Sequence, residues 1–181
     1  MKYLIGTRLV VFLIFVGLFS LALEFGSLIP IDENLAREIR FEFLDVVDDI
    51  DAVGLFLNNV SISLPMFIPG AGLVWGFYSG ASTGFTYGAL ASITPELKDT
   101  TALSILYGTT FGFMELIAYS IATSRSYLLI YGIVTKSNLK PQIIPLIIEI
   151  TILLILLFIG GMLEYNMMIE HRKSIPNIDD L

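Results

Sequence analysis

A glycine recurs at every fourth position within one apolar stretch of the chain. The row consists of Gly72, Gly76, Gly80, Gly84 and Gly88. In water, a glycine inside a helix costs about 1 kcal/mol relative to alanine. In a membrane, a row of glycines lets a second helix approach closely enough for backbone contact and interhelical hydrogen bonds. The row therefore predicts tightly packed transmembrane helices.

The composition agrees with a membrane protein. Of the 181 residues, 55% are hydrophobic and 15% are charged, and the mean hydropathy is +0.81. A soluble domain carries more charge than this. The net charge is −7 and Lys and Arg form no cluster, which excludes nucleic acid as a partner. The chain contains no cysteine, so disulfides and thiolate metal sites are excluded.

Five apolar segments are long enough to cross a bilayer, because about 20 helical residues span its hydrocarbon core. The predicted spans are residues 3–23, 55–77, 78–94, 101–123 and 141–165. The first is interpreted as a retained anchor, since it is longer than the apolar region of a signal peptide and lacks a cleavage site. Residues 127–134 are predicted to form a separate interfacial helix. The positively charged residues divide equally between the two sides, so they do not fix the orientation.

The boundary between the second and third spans depends on chain length. The apolar stretch from Leu55 to Thr94 would make a helix about twice as long as the bilayer core is thick. We predict a turn at Tyr78–Gly80, with a re-entrant segment followed by one long helix as the alternative. Each step of four residues also moves a glycine about 40° around a helix. The two halves of the row are therefore expected to pack on different neighbours, chiefly on the helix that carries Gly108 and Gly112.

Acidic residues concentrate ahead of the glycine row. The segment from Asp32 to Asp51 contains eight acidic residues and two arginines. Its apolar residues share one side of a helix, namely Leu35, Ile39, Phe43, Val46, Ile50 and Val53. We predict an amphipathic helix outside the bilayer core. Because helices that bind anionic lipid are usually basic, this one is expected to dock on the protein's own helices or to recruit a cationic partner or divalent ions.

These segments predict an all-α fold, a polytopic transmembrane bundle of about five membrane helices plus one acidic amphipathic helix in the cell membrane. The chain divides into an anchor helix (1–25), the acidic helix (26–54), a glycine-rich bundle (55–165) and a polar tail (166–181).

Glu115 and Glu149 are acidic residues within predicted spans. A carboxylate in a membrane is costly unless it is protonated, paired or hydrogen-bonded, so each is a candidate functional residue. Arg125 either reaches the interface or pairs with a carboxylate of another helix. The candidate intramembrane polar site consists of Asn58, Asn59, Glu115, Arg125 and Glu149, with structural and transport roles both open. No metal or cofactor is expected, because the single histidine, His171, lies in the tail.

Several motifs follow one another in a recognisable order. They are Phe56-x-Asn58-Asn59, then Pro69-Gly70-x-Gly72 with Gly76, then Thr83-Gly84, and then Gly112-Phe113-x-Glu115-Leu116-x-Ala118-Tyr119-x-Ile121-Ala122. This order, over about residues 51–126, resembles the stage II sporulation protein M family, in particular its archaeal-type members. The resemblance implies a bundle of five or six membrane helices, with the Asn pair opening one helix and Glu115 in another. It also implies, for the sporulation member, a complex with peptidoglycan-degrading partners, a role that need not transfer to this chain.

Three classes of function fit these patterns. We favour a noncatalytic scaffold or accessory subunit of a membrane complex, homo- or hetero-oligomeric, with a role in membrane remodelling among its possible tasks. The alternative is a transporter or permease subunit in which Glu115 and Glu149 form an ion or proton path. An intramembrane hydrolase is disfavoured, because no His or Lys within the spans is available as a base for a nucleophile. The chain is therefore not expected to be an enzyme.

Overall fold

The computed structural model describes residues 2–97 and 99–174, and the side chains of residues 6–47, 50–97 and 99–170. Within these residues the protein is helical and contains no strand, which confirms the predicted all-α class. The seven α-helices are α1 (Lys2–Ser27), α2 (Glu33–Asp49), α3 (Ala52–Ser63), α4 (Ala71–Ile93), α5 (Ala102–Gly108), α6 (Thr110–Val134) and α7 (Ile143–Ser174). Three short 3₁₀ helices lie at Leu64–Phe67, Pro95–Leu97 and Lys140–Gln142.

Polar side chains cap several helices at their N-termini. Asp51 accepts a hydrogen bond from the Gly54 backbone N–H at 2.7 Å and so starts α3. Asp32 caps α2 in the same way. Thr101 and Ser104 form a reciprocal capping box at the start of α5. Each cap satisfies backbone donors that the first turn of a helix leaves free.

Two helical segments are long and apolar enough to cross a membrane, Gly6–Ser27 and Lys140–Glu170. A third qualifies if α5 and α6, which meet at a 96° bend, are counted as one broken segment. These two or three segments fit a membrane protein. Length and composition do not establish the five membrane-spanning helices that the sequence analysis predicts. α4 has 23 residues but is rich in Gly, Ser, Thr and Tyr, and α3 has only 12. Both helices belong to the bundle, but their length and hydropathy do not identify them as membrane-spanning.

The predicted turn at Tyr78–Gly80 is wrong, because α4 is continuous from Ala71 to Ile93. The break lies earlier, between α3 and α4, where Pro65 opens a 3₁₀ turn and Gly70 adopts φ +78°. Proline cannot continue the hydrogen-bond ladder of an α-helix, and a positive φ favours glycine. The alternative prediction was a re-entrant segment followed by one long helix. The long helix is observed as α4, after the short helix α3.

The predicted boundaries around the fourth span are also wrong. The chain breaks at Thr109, which has extended dihedral angles and accepts a hydrogen bond from the Gly112 backbone N–H to cap α6. From there α6 runs without interruption to Val134, so residues 127–134 are its last turns and not a separate interfacial helix. The helix continues because Ser124, Arg125 and Ser126 are buried against neighbouring elements instead of facing an interface.

The glycine row of α4 passes from one neighbour to another. A Cβ on Gly76 would overlap the Thr123 side chain of α6, and a Cβ on Gly84 would overlap the Leu23 carbonyl of α1. Gly72 lies against Met66 and Ser126, and Gly80 and Gly88 lie against α1. The expected shift between neighbours is thus confirmed, but it occurs along one helix instead of across a turn. The main neighbour is α1, which packs along α4 more extensively than any other helix.

The two glycines of the fourth predicted span do not take part in this contact. Gly108 is exposed, and a Cβ there would meet nothing within 4 Å. Gly112 is buried, but the atoms nearest to it belong to Thr109, Leu106 and Ile105 at the corner between α5 and α6. Gly112 therefore serves the bend and not the packing of two long helices.

The acidic helix α2 packs on α4, with Ala36 fully buried. This confirms that it docks on the protein's own helices. Several of its predicted apolar residues are nevertheless exposed, namely Leu35, Phe43 and Val46.

The proposed division between bundle and polar tail does not coincide with a helix end, because α7 continues to Ser174. Residues 175–181, and the side chain of His171, lie outside the described part of the chain.

Candidate functional site

The predicted polar residues separate into two groups at different levels of the bundle. Arg125 and Glu149 belong to a group of charged side chains, whereas Asn59 and Glu115 face a cavity. Along α6, Glu115 and Arg125 are about 15 Å apart, at 1.5 Å per residue. Asn58 is exposed and also lines the cavity. The five residues therefore do not form one site.

The first group, which we call the charge cluster, consists of Arg8, Arg125, Gln142 and Glu149. Arg125 donates from Nε to Glu149 Oε2 at 2.6 Å and from Nη2 to Oε1 at 2.5 Å, which is a bidentate pair. Its third nitrogen, Nη1, donates to Gln142 Oε1 at 2.7 Å. Arg125 is 2% exposed, so these bonds supply the partners that water would otherwise provide.

Arg8 joins the charge cluster from the first helix. Its Nε donates to Glu149 Oε1 at 2.7 Å, and its Nη1 and Nη2 donate to Ser124 Oγ at 2.9 Å and to the Ile121 carbonyl at 3.3 Å. The cluster thus ties α1, α6 and α7 together. Of the two roles left open for Arg125, the structure shows the pairing with a carboxylate of another helix and not the position at the interface. The sequence reasoning missed Arg8, although an arginine inside an apolar span is itself a signal for a buried partner.

The second group lines a cavity of about 580 Å³ to which all seven α-helices contribute. Its polar wall includes Asn59, Glu115, Tyr119 and Glu164. Most of the remaining wall is aromatic, aliphatic or Met, including Phe19, Trp75, Tyr78, Phe111, Met167 and Met168. None of the described residues that line the cavity is Lys, Arg or His.

The carboxylates of the cavity have few partners. Asn59 Nδ2 donates to Glu115 Oε1 at 2.6 Å. Glu164 lies close enough to interact electrostatically with both Glu115 and Tyr119. Among the described residues, Glu115 has no other hydrogen bond, Glu164 has none, and neither forms an ion pair. Two acidic side chains therefore line the same cavity, and no described residue that lines it carries a cationic side chain.

Tyr119 completes this group. It is 8% exposed and packs its ring against Phe19, with the centroids 5.5 Å apart. Within residues 2–97 and 99–174 its hydroxyl has no hydrogen-bond partner, although a buried Tyr hydroxyl usually has one. We call Glu115, Glu164 and Tyr119 the acidic pocket.

The two embedded acids named by the sequence analysis therefore differ in role. Glu149 accepts hydrogen bonds from two arginines, and its charge is compensated. Glu115 has one neutral donor and an acidic neighbour. Glu164, the acidic neighbour, lies inside the predicted span 141–165, but the sequence analysis named only Glu149 as the embedded acid of that span. It follows Gly161 by three residues, on the side of α7 where Gly161 meets the backbone of α3, and that spacing is the signal that would have found it.

Asn59 and Asn58 provide a matched test of this geometry. Because Asn59 is buried and hydrogen-bonded to Glu115, we expect Asn59→Ala to lower the free energy of unfolding by about 1–3 kcal/mol. The neighbouring Asn58→Ala, at an exposed position, should change it by less than about 0.5 kcal/mol. Thermal unfolding in detergent measures both, and equal losses would contradict the assignment.

The comparisons with known proteins supply no name for this arrangement. No family model, curated protein or solved structure matches the chain. The resemblance to the stage II sporulation protein M family accordingly stays a prediction. In the part of the chain that the structure describes, no group of three or more His, Asp or Glu side chains is placed to hold a metal ion.

Proposed function

We propose that the protein is a noncatalytic, multi-pass protein of the cell membrane that admits a cation to the cavity as a transporter or permease subunit. The observation that supports this most strongly is that Glu115 and Glu164 line one cavity whose described lining residues include no Lys, Arg or His. Acidic side chains inside a membrane protein commonly mark ion or substrate pathways. A cavity of this size with a few convergent polar groups is also the usual form of a small-molecule site.

A bundle of about five membrane helices, α1, α3, α4, α6 and α7, is part of this proposal. Apolar side chains cover the outer surfaces of α1 and α7, as a lipid environment would require. On α1 they include Leu9, Leu13 and Leu21, and on α7 they include Ile144, Ile147 and Ile155. The polar groups of the cavity and of the charge cluster lie on the inner surfaces, where neighbouring helices shield them.

Transport is tested by flux into proteoliposomes under imposed Na⁺, K⁺ and H⁺ gradients. We expect Glu115→Gln and Glu164→Gln each to reduce the flux about tenfold or more, because each removes a carboxyl group that can bind the cation or carry a proton. Glu33→Gln is the control, since Glu33 is exposed on α2 and, among the described residues, pairs only with Arg37. Undiminished flux in both cavity variants, or no flux of any inorganic or organic cation with the wild-type protein, would contradict the proposal.

A scaffold in a larger membrane complex is the second candidate, and α2 is the observation that favours it. This helix carries six acidic residues and two arginines, and its Phe41 is 75% exposed. Such a surface is complementary to a basic segment of another membrane protein. The glycine row does not support this candidate, because it faces the protein's own helices. The mass of the assembly isolated in mild detergent, compared between wild type and Phe41→Asp, tests it.

A further inference from the structure

We propose that the cavity binds an organic cation with an apolar body, an inference that rests on the cation-handling function proposed above and specifies its ligand. The acidic pocket supplies the charge complement. Glu115 and Glu164 interact with each other and have no basic partner among the described residues. Tyr119 lines the same cavity, and its hydroxyl has no hydrogen-bond partner among the described residues.

The size of the cavity argues against a bare metal ion. At about 580 Å³ it lies within the range of sites for small organic molecules, about 300–1,000 Å³. A divalent ion prefers a compact cage of several oxygen ligands. The described residues provide no group of three or more acidic or histidine ligands. The cavity therefore has room and charge for a ligand larger than an ion.

The wall of the cavity indicates that this ligand has an apolar body. Aromatic rings from four helices line it, among them Phe19, Trp75, Phe111 and Tyr119. The negatively charged face of an aromatic ring attracts a cation, and the attraction is stronger where water is excluded. Met167 and Met168 add side chains that adapt to different shapes. A charged group would lie at the acidic pocket and an apolar group against the rings.

An entry route lies beside α2. Phe43 and Val46 line the cavity and are also 43% and 61% exposed, so the cavity reaches the surface between α2 and the bundle. Both residues are apolar, as is suitable for admitting an amphiphilic molecule.

The chain contains its own reporter for binding. Trp75 is the single tryptophan of the sequence and lies in the cavity wall, where its Nε1 donates to the Ile62 carbonyl at 2.8 Å. Tetraphenylphosphonium is a suitable probe, and tetraphenylborate is its control, with the same shape and the opposite charge. We expect tetraphenylphosphonium to change the Trp75 fluorescence of the full chain in detergent in a saturable way. Tetraphenylborate should give no saturable change.

The same titration identifies the residues. We expect Glu115→Gln and Glu164→Gln each to weaken tetraphenylphosphonium binding by about tenfold, and the control Glu33→Gln to leave it unchanged. Asn58→Lys places a positive charge at an exposed position of the cavity wall and should abolish binding even if a Gln variant folds poorly. Unchanged affinity in the folded cavity variants, or equal saturation by tetraphenylborate, would overturn the inference.

The binding experiment and the flux experiment can fail independently of each other, so they distinguish the proposed ligand from the proposed transport function. Saturable flux of an inorganic cation without tetraphenylphosphonium binding would overturn the ligand class and retain the transport function. Binding of tetraphenylphosphonium without flux of any cation would overturn transport and retain the site.

Discussion

Replacing Gly84 with alanine should lower the free energy of unfolding by about 3 kcal/mol or more, because the new methyl group has no room. A Cβ at this position would overlap the backbone carbonyl of Leu23 and lie 3.0 Å from the backbone nitrogen of Ser27. Both atoms belong to the backbone of α1, which cannot move aside as the end of a flexible side chain can. The contact would be relieved only by separating α1 from α4.

A graded series of glycines tests this explanation. A Cβ on Gly80 would lie 3.3 Å from the Phe19 ring, which can shift slightly, so Gly80→Ala should cost less than Gly84→Ala. A Cβ on Gly17 would meet nothing within 4 Å, so Gly17→Ala should remain within about 1 kcal/mol of wild type. Thermal unfolding in one detergent ranks the three variants. Similar losses at Gly84 and Gly17 would show that helix propensity, and not close approach, explains the row.

Arg125→Ala should lower the free energy of unfolding by about 3–5 kcal/mol, which is the typical effect of removing one partner of a buried ion pair. Arg125 is almost fully buried and supplies three hydrogen bonds, two to Glu149 and one to Gln142. Its removal would leave Glu149 with Arg8 alone and Gln142 Oε1 without that donor. The substitution would therefore weaken the packing of α6 against α7.

The exposed pair of Arg37 and Glu33 on α2 is the control for that experiment. Their N–O distance of 2.5 Å equals that between Arg125 Nη2 and Glu149, but their side chains are 69% and 68% exposed. Arg37→Ala is therefore expected to cost less than about 1 kcal/mol. Arg125→Lys should lie between the two, because lysine keeps the charge but cannot form the bidentate pair. Equal losses for Arg125→Ala and Arg37→Ala would contradict a structural role for the charge cluster.

Properties that depend on composition and local periodicity were predictable from the sequence. The apolar composition indicated helices in a membrane, and the segregation of charge indicated that α2 is amphipathic. The drift of a four-residue repeat around a helix correctly predicted that the glycine row meets more than one neighbour. Pairing with an acidic residue was one of two roles predicted for Arg125, and its burial explains why this role is the observed one, because a buried arginine requires a partner.

The positions of the breaks were harder to predict. Both Tyr78–Gly80 and the segment around Pro65–Gly70 contain turn-forming residues, and local propensity does not decide between them. Tertiary packing makes the difference, because α1 packs closely against α4 from Gly80 to Gly88 and α4 continues through the predicted turn. At Thr109 the chain bends although no proline is present, since the threonine hydroxyl caps the next helix.

The sequence by itself determined the helical class, the presence of helices apolar enough to cross a membrane and the presence of acidic residues within apolar helices, because each depends on residue type and spacing along one helix. Only the tertiary structure decided which acidic residue is compensated. Arg8 and Glu149 are 141 positions apart in the chain and form a hydrogen bond. Glu115 and Glu164, by contrast, line the same cavity. The glycine row shows the same division: its spacing predicted close packing, but the partner was set by which backbone lies against it. Electrostatic compensation and close approach are properties of neighbours in space, and the fold brings those neighbours together from distant parts of the chain.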